Sequence, residues 1–180
     1  MALSSSAMND TVITATSRVT AADLAGARLG TRFGRLDQLS QLALLAVERL
    51  AVNFEILPRD RIGICLSARG GSLSTDHAYW EGRDATGGPS PTLFAYTLPS
   101  AAIGEIAIRH RVTGPNLCFV EGEKLLESEA AELIQSGEAD ACICVACNVV
   151  TAPVATLTGL PPAAEARASL LTALKFKPHR

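Results

Sequence analysis

Apolar residues recur along this chain with two alternating periods. Between Arg35 and Val52, Leu36, Leu39, Leu42, Ala43, Ala46, Val47 and Leu50 return at helical spacing, which predicts a helix with one broad apolar face, broken by Pro58 and Asp60. Arg61-Ile62-Gly63-Ile64-Cys65-Leu66-Ser67 reads as a buried strand leading into a Gly70-Gly71 loop. Ser72 to Pro91 mixes helical and loop signals and is read as mostly irregular. Pro99-Ser100 opens a second helix with Ala102, Ile103, Ile106 and Ala107 on its face, closing near His110. A strand over Asn116–Val120 follows, then a third helix from about Glu121 to Ser136, with Leu125, Leu126, Ala130, Leu133 and Ile134 inward and Gly137 as its stop.

Asp140 to Val150 is almost continuously apolar, as in a strand covered on both faces. Thr11 to Ala15 is a short β-prone start, preceded by a polar tail, Met1–Asp10, expected to be flexible. Beyond Thr151, Pro153, Pro161 and Pro162 punctuate a C-terminal tail, 153–180, expected to carry a short helix over Ala163–Leu174 and to end in the basic Lys175-Phe176-Lys177-Pro178-His179-Arg180. The order of elements predicts an α/β domain over residues 11–152, a layered mixed sheet with helices on both faces.

Composition narrows the function classes. The chain has 180 residues, 48% hydrophobic and only 4% aromatic, which suits one aliphatic, alanine-rich core. Sixteen basic residues against eighteen acidic ones give a net charge of −2 with no basic block, so neither nucleic acid nor an anionic membrane is an expected partner. No stretch approaches the ~20 apolar residues that span a bilayer, and the N-terminus has no signal-like charge pattern. Five cysteines, Cys65, Cys118, Cys142, Cys144 and Cys147, without export features imply reduced thiols in a cytoplasm.

Strand alternation puts Cys142 and Cys144 on one face and Cys147 on the other, which suits packing better than a tetrahedral metal site. Arg69-Gly70-Gly71-Ser72 lacks dinucleotide spacing and a phosphate-loop lysine, so it is read as a turn and no cofactor is implied. His77, Tyr79 and Trp80 cluster in the irregular segment and are read as partly exposed anchors.

The segment Val112-Thr113-Gly114-Pro115-Asn116-Leu117-Cys118-Phe119-Val120-Glu121-Gly122-Glu123 carries the most specific signal: a strand, a sharp turn at a small residue, then a helix. Together with Arg35–Ala43, Arg61–Ile64, Ser90–Ile108 and Ile134–Asp140, in that order, it resembles the N-terminal half of the β-ketoacyl synthases, in the thiolase-fold superfamily, over roughly residues 10 to 150. The resemblance implies a fold of two similar halves, with a nucleophilic cysteine at the start of the helix, where the macrodipole favours a thiolate. It further implies two activating histidines from the second half. Glu123 stands at the nucleophile's position, and His77, His110 and His179 match none of the family's catalytic histidines. The sequence ends where the second half would begin.

A carboxylate cannot form the thioester that condensation requires. Glu123 is either an acid that favours a helix N-terminus or a polar group in a vestigial pocket with Glu121 and Cys118. Cys118 is the rival nucleophile, but Leu117 and Phe119 beside it suggest a buried, inert thiol.

The resemblance implies a non-catalytic accessory subunit in fatty acid or polyketide-type synthesis, associated with a ketosynthase-like subunit or an acyl carrier protein. The alternative is an acyl-thioester enzyme completed at a subunit interface through Glu123 or Cys118. The family's two-fold axis pairs the strand before the nucleophile with its equivalent, so Asn116, Leu117, Cys118, Phe119 and Val120 are the expected interface of a homodimer or heterodimer.

Overall fold

Strands β1 (Thr11–Thr20), β2 (Ile62–Arg69), β3 (Asn116–Val120), β4 (Ala141–Val150) and β5 (Ala163–Ala173) form one mixed sheet in the order β1-β5-β4-β2-β3. β2 runs parallel to β3 and β4, whereas β5 runs antiparallel to β4 and β1. The computed structural model describes residues 11–84 and 86–173; the Met1–Asp10 tail, Leu174 and the basic end with His179 lie outside the described residues. The helices are α1 (Ala21–Leu24), α2 (Gln38–Glu48), α3 (Leu73–Glu81), α4 (Pro91–Phe94), α5 (Ala101–His110), α6 (Leu126–Gln135) and α7 (Ala152–Thr158). Among the described residues, no helix is long and apolar enough to cross a membrane.

Strand alternation divides the core in two. Ile62, Ile64 and Leu66 of β2, with Ile143, Val145 and Cys147 of β4, face α2 and α5. Cys65, Cys142 and Cys144 face the other way, against Leu126, Ala130 and Leu133 of α6. The cysteine run is thus split by the pleat as the sequence predicts. α2 starts where Asp37 accepts a hydrogen bond from the Ser40 N–H at 3.0 Å, an N-cap that satisfies one orphan donor. Leu42, Ala43 and Ala46 on its inner face are fully buried.

Three expectations require correction. The C-terminal helix over Ala163–Leu174 is the strand β5, inserted between β1 and β4, so this segment is integral to the sheet rather than a tail. Ala166, Ala168 and Leu170 face the α2 side while Arg167 is exposed on the other, and ladders on both sides outweigh the helix propensity of alanine. Within Ser72–Pro91, residues 73–81 form α3, which lacks a clear apolar stripe because only Thr75 is buried. The third helix starts late: a 3₁₀ turn at Glu123–Leu125 precedes α6.

The ring of His110 meets Phe54 edge-on with centroids 5.0 Å apart, and burial holds its pKa below the ordinary 6.5. Glu48 favours the cation, while Arg109 and Arg59 oppose it. Because the folded state resists protonation, this contribution to stability is complete above pH 6.5 and is lost as pH falls from there toward the depressed folded value. Urea midpoints at pH 7.5 and 5.5 should therefore differ less in His110→Gln than in the wild type; equal differences would contradict this assignment.

Candidate functional site

β3 is an edge strand, and its pleat sorts the expected interface residues. Leu117 and Phe119 pack inward against the α6 cluster, whereas Asn116, Cys118 and Val120 are exposed. The expectation that Cys118 is buried is therefore wrong: on this edge strand, no helix among the described residues covers the face opposite α6 at Cys118. Its thiol is nevertheless pushed up by partial desolvation, the reverse of what a nucleophile needs.

After Val120 the chain turns sharply. Glu121 adopts φ 61°, a left-handed conformation uncommon outside glycine, and its Oε1 accepts a hydrogen bond from the Gly70 N–H at 2.8 Å. That bond fastens the β3 end to the turn after β2. Gly122 is required because a Cβ there would lie 2.5 Å from Cβ of Phe119. Glu123 follows on the 3₁₀ turn, and its carboxylate accepts a hydrogen bond from the Arg167 guanidinium of β5 in an ion pair.

Glu123 and Glu121 line a cavity of about 510 Å³ at the carboxyl ends of β2, β3 and β4; Cys118 does not. Ser67, Arg69, Asn148 and Arg167 complete much of its wall. Arg18 pairs with Glu165 at 2.8 Å on the same side. Alternating charges therefore occupy the space around Glu123. The other described thiols offer no substitute: hydrogen bonding to Cys65 and then burial push Cys142 and Cys144 up, and burial first, then the charges of Asp37 and Cys118, raise Cys147. Hydrogen bonds from Cys142 and Cys144 draw Cys65 down, but it is fully buried and does not line the cavity. Neither described histidine lines the cavity. His77 lines a separate apolar groove with Tyr79, Trp80 and Phe94, and Trp80 is an exposed anchor as expected.

Glu121 and Glu123 are thus brought together, Cys118 is left outside, and Arg167 is the functional residue that sequence reasoning missed. Its available signal was the alternation of Glu165, Arg167 and Ser169 with alanines, which marks a half-covered strand.

No known family profile and no curated protein matches the sequence. The fold does match solved structures. The ishigamide ketosynthase/chain length factor superposes with a TM-score of 0.73 at 18% identity, covering 93% of this chain and 63% of that one. A ketosynthase (ApeO) in complex with its chain length factor (ApeC), from Xenorhabdus doucetiae, gives a TM-score of 0.68 at 16% identity, covering 91% of this chain and 79% of that one. A type II polyketide acyl-carrier protein in complex with its ketosynthase bound to the hexaketide (AntDE:AntF) gives 0.71 at 16%, covering 92% and 63%. The chain has a ketosynthase-like, thiolase-type α/β fold. It spans 63% of the length of the first and third of these chains.

Proposed function

We propose that this chain is a nucleophile-free partner subunit of a ketosynthase-type condensing system, in fatty acid or polyketide-type synthesis in a reducing cytoplasm. The observation that carries the reading is the ion pair of Glu123 with Arg167, at the position where the family resemblance expects the nucleophile. A carboxylate so engaged neither forms a thioester nor stands free as a base. The likeness to chains solved as ketosynthase/chain length factor and as a ketosynthase with its acyl-carrier protein supports the choice of a condensing enzyme or a carrier protein as partner. The rival reading, an acyl-thioester enzyme completed at an interface, needs Glu123 released or Cys118 activated, and the ion pair and the raised Cys118 pKa run against both.

Association through the β3 edge is part of this reading. An edge strand presents unpaired backbone groups, and Asn116–Val120 offers five residues for antiparallel pairing with a second copy or a related subunit. In the absence of another partner the chain should form a symmetric homodimer. Phe119→Lys is a poor probe, since its ring packs inward against α6. Cys118→Lys and Val120→Lys alter exposed positions and should weaken the dimer without unfolding the protomer. Light scattering over a concentration series checks this. A wild-type chain that stays monomeric when concentrated would exclude the homodimer.

A further inference from the structure

Three hydroxyls fasten the first turn of α3 to the rest of the fold. Ser74 Oγ donates to O of Val149 at 3.2 Å and accepts from the Thr151 N–H at 3.1 Å, and Thr75 Oγ1 donates to Oδ2 of Asp37 at 2.9 Å. Each of these has one acceptor for its one proton. Ser72 has two: its Oγ lies 2.6 Å from O of Thr97 and 3.1 Å from Oδ2 of Asp76. A hydroxyl carries a single proton, and neither a carbonyl nor a carboxylate supplies another. Both contacts are hydrogen bonds at once only when Asp76 is protonated, its O–H donating to Ser72 Oγ while Ser72 donates to Thr97. The other carboxyl oxygen, Oδ1, is buried without a hydrogen-bond partner among the described residues, which disfavours the anion there.

The elements packed on α3 bring Asp76 no cation. α4 and α7 carry no charged side chain, and the titratable groups of β4 are its cysteines. In the turn after α4, the Tyr96 hydroxyl donates to Glu105 at 3.0 Å, and at the start of α2 Asp37 accepts from Ser40 and Thr75. On α3 itself His77, Tyr79 and Glu81 are the other titratable groups. The first turn of a helix favours a carboxylate, yet burial prevails: it raises the Asp76 pKa above the ordinary 3.8, against the opposing effect of the Ser72 hydrogen bond.

We propose that Ser72 is a proton-limited latch: it ties α3 to the segment 90–97 through Thr97 while Asp76 holds a proton, and it turns to Asp76 and frees that segment when Asp76 ionises. The proton leaves Asp76 for solvent, and the Ser72 proton swings from O of Thr97 to Oδ2 of Asp76. Thr97 then lacks its donor, and no backbone N–H of the neighbouring turns replaces it among the described residues. The freed segment carries Phe94, which walls the apolar groove opposite Trp80 and meets Tyr79 with ring centroids 5.6 Å apart, so the latch sets the shape of that groove. Because the folded state holds the proton more tightly than the unfolded chain, the contribution to stability is complete below pH 3.8 and is lost as pH rises through the raised folded value.

Trp80 is the single tryptophan of the chain and lines the groove, so its emission and acrylamide quenching report the latch without added probes. Between pH 4 and 7.5, with far-ultraviolet circular dichroism unchanged, the wild type should show a one-proton transition in both, with a midpoint above 3.8 and stronger quenching on the alkaline side. Asp76→Asn, whose amide donates to Ser72 at every pH, should hold the acidic signal throughout. Ser72→Ala, which leaves Thr97 without a donor at every pH, should hold the alkaline one. His77→Gln should keep the transition, which separates Asp76 from the neighbouring imidazole. Carbon-13 shifts of the Asp76 carboxyl and the Thr97 carbonyl in the wild type should titrate with one common midpoint, a readout that needs no variant. A flat wild-type profile, a transition that survives Asp76→Asn or Ser72→Ala, its loss in His77→Gln, or a Thr97 carbonyl that does not follow Asp76 would each overturn the latch.

Discussion

A chain truncated after Gly159 should not fold. Among the described residues β5 is the sole strand paired with β1, and it also pairs along the whole of β4, so removing it detaches β1 and uncovers the sheet beneath α2. Ala166, Ala168 and Leu170, all buried, leave the main core with it. The loss of two ladders together with these core side chains exceeds the margin of a typical small domain, about 5–15 kcal/mol. Circular dichroism and urea titration of the truncated chain should show no cooperative transition. A truncated protein that unfolds cooperatively near the wild-type midpoint would mean that these residues are dispensable.

Gly114→Ala should be the most damaging single methyl addition at the glycines next to the site. A Cβ at Gly114 would lie 2.3 Å from O of Ile62, with C of Ile62 at 2.8 Å and O of Asp60 at 2.9 Å. All three are backbone atoms, and their surroundings are fixed: the Ile64 N–H donates to O of Pro115 at 2.9 Å and the Thr113 N–H to O of Arg59 at 2.9 Å. With nothing flexible to give way, the substitution should cost at least about 2–3 kcal/mol. Gly104→Ala in α5 is the contrast, because its Cβ meets open space and should stabilise by up to about 1 kcal/mol. Urea midpoints of the two variants decide this, and equal stability would contradict it. The Gly114-Pro115 pair in the sequence motif thus has a steric origin: the approach to β3 passes directly against the start of β2.

The parts of the fold legible in the sequence are those where local pattern and tertiary context agree. Leu42, Ala43, Ala46 and Val47 have the period of a helix and lie buried on one. The run from Ala141 to Val150 is apolar at every position but Asn148 because β4 is sandwiched between α2 on one face and α6 on the other. β5 escaped because Ala163–Ala173 alternates through alanines, which read as helix formers until two neighbouring strands pair with them. The pocket was legible in part. Glu121 and Glu123 are separated by Gly122 alone and share a turn, whereas Arg167 is 44 residues from Glu123 and reaches it through the β1-β5-β4 ordering of the sheet. Cys118 was misplaced for a related reason: a five-residue strand does not reveal whether it lies at an edge, and the edge decides its exposure.

The central claim, that the ion-paired Glu123 makes this a subunit without a nucleophile, is tested most directly by intact mass after incubation with acyl thioesters. Wild-type protein should gain no stoichiometric acyl group, and neither it nor Glu123→Cys should yield a condensation product, because one substitution restores a thiol while neither described histidine lines the cavity. A stoichiometric acyl adduct on the wild-type chain, mapped to any of its five cysteines, would contradict the account.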